Sequence, residues 1–287
     1  MVISNPLIPD QLLAENKDLI GMRALDVFEA VVRALTDAGV AVIVNNHITR
    51  AAWCDGKNLC DSSWKNDFLG PICRIRQTEE DWIRHWEIVM APLVDNPLVI
   101  GADLRNEPRG VWGTMSWDSW AGAAERGGER LLKMQSNWLI FVEGVSSAND
   151  LSGVRERPVR LSVQDRVVYS AHVYSWSGWG SGVPFSKRSY ESFTNEMGKN
   201  WGFLLEGDIA PVWVGEFGAP IKPGKGEMHY WENLVRLLKA NDADFGYWAI
   251  NPRKPEKKEK ESYAICEDDW KTPVEDYRLQ DLRLLMN

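Results

Sequence analysis

Cysteine and histidine are both scarce in this chain of 287 residues, at four each. Four cysteines are too few for a disulfide scaffold, and Cys54, Cys60, Cys73 and Cys266 leave three pairings and the redox state open. The histidines His47, His85, His172 and His229 include no pair at metal-ligand spacing, which argues against a zinc site. Long apolar runs are missing as well. None reaches the roughly 18 residues that a membrane span needs. The opening Met1-Val-Ile-Ser-Asn-Pro6 carries neither the basic nor the apolar segment of a signal peptide. Positive charge is in deficit, with a net charge of −8, which argues against a phosphate backbone as the partner and fits a soluble enzyme acting on a neutral substrate.

What is abundant is tryptophan, 15 residues. A large core would absorb them, since the indole carries a big apolar surface. Seven of them, Trp53, Trp64, Trp112, Trp117, Trp120, Trp176 and Trp179, fall in loop-like stretches after candidate strands and could equally line a groove for flat sugar faces. Both readings stay open at this point. Short β-branched apolar runs alternate with amphipathic segments, the pattern of a parallel sheet wrapped by helices. Strands are expected near 41–46, 98–104, 138–143, 167–173, 211–215 and 245–249, within one domain spanning 1–287. Helices are expected over 22–38, from the cap-like Thr78-Glu-Glu-Asp81, around 117–135, through Tyr190 to Trp201, around Trp231 to Leu238, and from Tyr277 to Met286. The charged run Arg253 to Glu261 reads as a solvated loop.

Two apolar runs end in glutamate: Leu98-Val-Ile-Gly-Ala-Asp-Leu-Arg-Asn-Glu107-Pro108 and Pro211-Val-Trp-Val-Gly-Glu216-Phe-Gly218. Pro108 cannot donate to a continuing ladder, so Glu107 is expected at the rim. Gly215 and Gly218 flank Glu216 and permit close approach of backbone and ligand. Either glutamate alone could simply pair with an arginine. Two at strand ends, with Asn106, His172, Tyr174 and Trp248 at other strand ends, point instead to acid/base chemistry. His172 and Tyr174 alternate on one strand and should face the same way. Glu143 also ends a strand and reads as a secondary contact.

Asn106-Glu107-Pro108, His172-x-Tyr174, the Glu216 strand and Trp248 resemble the active-site set of glycoside hydrolase family 5, the cellulase-type family of clan A. They match the order and spacing of its fourth, sixth, seventh and eighth strands. Asn45-Asn46-His47 resembles its third-strand histidine motif, and the loops look closest to a eukaryotic, fungal or plant, branch. The resemblance implies a TIM (β/α)8 barrel and a retaining hydrolase of β-linked glycans, of β-glucan or β-mannan type, needing no cofactor and no metal. Glu107 would then be the acid/base, with a raised pKa, and Glu216 the nucleophile, their carboxyls roughly 5–5.5 Å apart. Asn106 would bind the sugar 2-hydroxyl, Tyr174 would orient Glu216, and His47 and His172 would shape the polar floor. Trp248 would stack beneath the sugar, with Trp112 and Trp176 as further substrate contacts.

The family's first two strands, and an arginine that ends the second and contacts the nucleophile, have no counterpart. The expectation is therefore an N-terminally truncated fragment, an incomplete barrel that folds poorly and turns over little. Its full-length parent is expected to be secreted. An oligo- or polysaccharide is the expected partner, with no nucleic acid and no membrane, and the complete protein is expected to be a monomer. The rival is a non-catalytic glycan-binding protein or an inactive fragment. Glycan specificity and endo or exo action are left to loops such as 48–77 and 175–188.

Overall fold

In the computed structural model, residues 5–10, 13, 15–50, 58–177, 182–254 and 259–286 are described, apart from the side chain of Trp112. Among them are six strands: β1 (Val42–Asn45), β2 (Val99–Asp103), β3 (Leu139–Glu143), β4 (Val167–Val173), β5 (Val212–Phe217) and β6 (Asp244–Tyr247). Each pairs in parallel with its neighbour in sequence, in the order β1-β2-β3-β4-β5-β6. That progression is the wall of a (β/α) barrel. β1 and β6 do not pair with each other, so the wall is open and the barrel incomplete. All six expected strands are present, within two residues at each end.

The helices follow from local signals. Ala24–Asp37 stops at Gly39, which takes φ +82. Glu79–Met90 opens with a reciprocal cap, in which Thr78 Oγ accepts from Asp81 N–H and the Asp81 carboxylate accepts from Thr78 N–H. Trp117–Met134, Lys225–Asn241 and Tyr277–Leu285 lie where expected. The helix starting at Tyr190 ends at Met197 and continues as a π-turn, Gly198–Gly202, into the short helix Phe203–Glu206.

For three of the seven loop tryptophans the structure decides between the two open readings. Trp64, Trp117 and Trp120 are buried in the core, with Trp120 fully enclosed, and line no groove. Trp64 and Trp82 pack on Trp120, with ring centroids 5.3 and 6.2 Å away. Their indole N–H groups are spent on the scaffold. Trp82 and Trp86 both donate to Leu104 O, at 3.2 and 3.0 Å, and Trp120 donates to Glu143 O at 2.8 Å. These carbonyls lie where β2 and β3 leave their ladders, and a buried polar group left without a partner there would cost about 1–3 kcal/mol. Helix-borne indoles thus fix the two strand ends that carry the site. Trp53 and Trp179 lie outside the described residues. No helix among the described residues is long and apolar enough to cross a membrane.

Cys60 and Cys73 form a disulfide, with Cα atoms 5.6 Å apart, across the loop between β1 and the helix Glu79–Met90. Cys266 is free, and Cys54 lies outside the described residues.

Candidate active site

Going round the wall from β2 to β5, the strand ends present Asp103, Glu143, His172 and Glu216. Asp103, Glu143 and His172 are buried, and Glu216 is nearly so. Glu107 lies four residues beyond β2, in a turn with φ +48. That differs from the expectation that Pro108 alone pins it at the end of its strand. The ladder stops at Asp103, and a left-handed backbone that costs a non-glycine residue about 1–3 kcal/mol carries Glu107 back over the barrel mouth.

The turn brings the two glutamates together. Glu107, His172 and Glu216 each place one side-chain ligand atom within 4.8 Å of the others. His172 Nδ1 lies 3.1 Å from Glu107 Oε1 and 3.6 Å from Glu216 Oε2, and Tyr174 donates its hydroxyl to Glu216 Oε2 at 3.0 Å. His172 and Tyr174 therefore do face the same way. Three such ligand atoms would also accept a small cation. Here one hydrogen bond joins His172 to Glu107 and another joins Tyr174 to Glu216.

Behind this group lies a second layer. Glu143 Oε2 accepts the Glu107 backbone N–H at 2.6 Å, and Glu143 Oε1 is 3.5 Å from His172 Nε2. Asp103 Oδ1 and Glu143 Oε1 are buried side-chain oxygens without a hydrogen-bond partner among the described residues.

Electrostatics follow from burial. Burial lifts Glu216 to about 7, helped by the nearby negative charge of Glu107 and opposed by His172 and the Tyr174 hydroxyl. Burial lifts Asp103 to about 6, and burial together with Asp103 holds Glu143 well above the usual carboxylate range. Burial alone would depress His172, but the carboxylates of Glu143, Glu216 and Glu107 outweigh it and hold the imidazole well above its ordinary value. Burial lowers His47 to about 4, so that ring is neutral.

The other expected residues divide into two groups. Asn106 is buried beside Glu107, and its Oδ1 has no partner among the described residues. Trp176 is 48% exposed and stacks on Tyr174 at 4.5 Å, with Tyr263 edge-on to both rings. His47 and Trp248, just beyond the ends of the two edge strands, stack on each other at 5.5 Å. The side chain of Trp112 lies outside the described residues. Gly218 does allow a close approach, but of protein rather than ligand: a Cβ there would sit 2.4 Å from Trp248 O. Sequence reasoning missed Asp103 and underrated Glu143. The available signal was that two apolar runs, Val99-Ile-Gly-Ala-Asp103 and Leu139-Ile-Phe-Val-Glu143, each end in an acid.

The family model for cellulase (glycosyl hydrolase family 5) matches residues 2–254. An endoglucanase of Paenibacillus polymyxa is 31% identical over 274 residues, covering 90% of this chain and 64% of that protein. A glycosyl hydrolase 5 family protein of Chamaecyparis obtusa is 27% identical, covering 89% of this chain and 46% of that protein. The chain thus spans about half to two thirds of the length of these relatives. Among solved structures, a cellotetraose complex of an endocellulase from Pyrococcus horikoshii superposes with a TM-score of 0.74 at 26% identity. It covers 96% of this chain and 77% of that one.

Proposed function

Because the chain belongs to the cellulase family, glycosyl hydrolase family 5, we propose that it hydrolyses β-linked glucans by double displacement, cutting within the chain. The single observation that carries this reading is the approach of Glu107 and Glu216 to within 4.8 Å with His172 between them. Two carboxyls that close leave no room for a water between them and the sugar, which favours retention over inversion. In the first step the Glu216 carboxylate bonds to the anomeric carbon, the bond to the leaving sugar oxygen breaks, and Glu107 gives that oxygen its proton. In the second, a water attacks the same carbon, Glu107 takes the water's proton, and the Glu216 ester bond breaks.

The neighbours fit these roles. The Tyr174 hydroxyl holds Glu216 Oε2 and stabilises its ionised form. Asn106 Oδ1 is an unused acceptor next to Glu107 for a sugar hydroxyl. The paired rings Tyr174 and Trp176 offer an apolar face on one side of the mouth, and His47 with Trp248 offer one on the other. Endo action on glucan is the reading supported by relatives named as endoglucanases. Placement in a eukaryotic branch rests on the loops alone. The Cys60–Cys73 disulfide supports secretion, since such bonds persist in oxidising compartments.

The test is labelling with a 2-deoxy-2-fluoro-β-cellobioside and mass spectrometry of the digest, beside turnover by Glu107→Gln and Glu216→Gln. Expected are one adduct, on Glu216, and a loss of turnover on the order of 10³–10⁵ in each variant with cello-oligosaccharide binding retained. Inversion at the anomeric carbon, or undiminished turnover by either variant, would sink the reading. A wild-type chain that binds glycan without cutting it would instead make this protein a binder.

A further inference from the structure

Glu143 is fully buried at the end of β3 and has no place in the two-step chemistry. Its surroundings give it one. Glu107 follows the paired part of β2 by four residues, so its N–H has left the sheet ladder. It points instead at Glu143 Oε2, 2.6 Å away, from a backbone at φ +48. The opposite oxygen of Glu143 lies 3.5 Å behind His172 Nε2, while the other ring nitrogen, Nδ1, contacts Glu107 Oε1 at 3.1 Å. One carboxyl therefore touches the acid/base at its main chain and, through His172, at its side chain. The Trp120 indole fixes Glu143 from below by donating to its carbonyl at 2.8 Å, and Gly144 N–H, the next donor along, is bound to Ser170 O at 3.0 Å.

We propose that Glu143 is the positioning residue of this site: it holds the left-handed turn that presents Glu107 to Glu216 and backs the imidazole that lies between them. The inference rests on the reading of Glu107 as the acid/base. The turn is intrinsically unfavourable for a glutamate, so it persists only where its donor has a partner. Loss of the acceptor releases the turn, and a displacement on the order of 1 Å at a reacting group is enough to cost about 10²-fold in rate.

Two variants of near-equal size separate this role from packing. Glu143→Gln keeps an oxygen that can accept the Glu107 N–H, whereas Glu143→Met fills the space without an acceptor. On a cello-oligosaccharide, Glu143→Met is expected to lose about 10²-fold in kcat with KM within about threefold, and Glu143→Gln to recover at least about tenfold of that loss. Hydrogen exchange at the Glu107 amide is read on the same samples: protected in wild type and Glu143→Gln, and fast in Glu143→Met. Should Glu143→Met not fold, Glu143→Asp, one methylene too short to reach the amide, takes its place with the same expected losses. Equal kcat in all variants overturns the proposal, as does an equal loss in Gln and Met. If the wild type cuts no glycan, the proposed function fails and the amide decides alone. Protection lost only without an acceptor then upholds the positioning role, and unchanged protection overturns it.

Discussion

Strands β3 and β4 and strands β1 and β6 are parts of one sheet that meet very different surroundings. In β4 every residue but the first is buried, and in β3 the same holds. In β1 a single residue, Val44, is buried, and in β6 none is. The inner strands are paired on both sides, whereas each outer strand is paired on one and leaves a row of backbone groups unmatched within the sheet. The site divides along the same line. Glu107, Glu143, His172 and Glu216 come from β2 to β5 and the residues just after them, and they hold one another by hydrogen bonds and charge. His47 and Trp248 come from the two edges, and what joins them is their own stack. The acid and imidazole groups are thus mounted on the covered part of the wall, and the His47–Trp248 stack on its open ends.

The largest difference should appear in amide hydrogen exchange. Local opening free energies within one protein run from near zero to the global value, so amides of β3 and β4 are expected to exchange about 10³-fold more slowly than those of β1 and β6. Equal protection across all six strands would break the comparison, because it would mean that the edges are covered in solution.

The pH response sharpens it. Glu216, lifted to about 7, must be ionised to attack, so kcat/KM is expected to fall about tenfold for each pH unit below 7, or on the order of 10²-fold at pH 5. Stability should move the other way. Glu216 binds its proton more tightly folded than unfolded, so its contribution is fully present below its ordinary value near 4.5 and is lost as pH rises through 7. His172, held above its ordinary value, has the same sign. A melt at pH 5 should therefore lie above one at pH 8, while activity is lower at pH 5. The edge residue His47, lowered to about 4, stays neutral in the folded protein over that range and adds no step to the activity profile; in the unfolded chain it protonates near 6.5, so its own contribution to stability runs against the trend below that pH. An acid limb near 4.5 would show that Glu216 is not burdened by its burial.

The same division explains what could be read from the sequence. All six strands were legible as short runs rich in β-branched or aromatic residues, and Glu107 and Glu216 were legible because Pro108 follows the one and glycines flank the other. What escaped depends on contacts across the sheet. Nothing local to Glu107 states that its N–H reaches a residue 36 positions later. Asp103 reads as an ordinary strand end until Glu143 is placed beside it. Trp117 and Trp120 were visible as aromatics, but their burial depends on which face of their helix turns inward, the face they share with Ala121, Ala124 and Leu131, and on carbonyls waiting at Arg157 and Glu143.

The smallest expected effect lies at the edges. His47 and Trp248 stack at 5.5 Å with planes 9° apart, and stacked aromatic pairs contribute about 0.5–1.5 kcal/mol beyond the area they bury. Trp248→Ala removes both that contact and an apolar face beside the substrate, so KM is expected to rise about tenfold, the equivalent of about 1.4 kcal/mol, with kcat changed less than about threefold. His47→Ala removes the stack and leaves the indole in place, and about a threefold rise in KM is expected. Both variants should keep the Glu216 acid limb, because the burial of Glu216 itself is the first cause of its raised value. The split between KM and kcat is what matters here. If Trp248→Ala instead lowered kcat and left KM alone, the indole would be acting on the transition state, and the edge could no longer be separated from the chemistry on the inner strands.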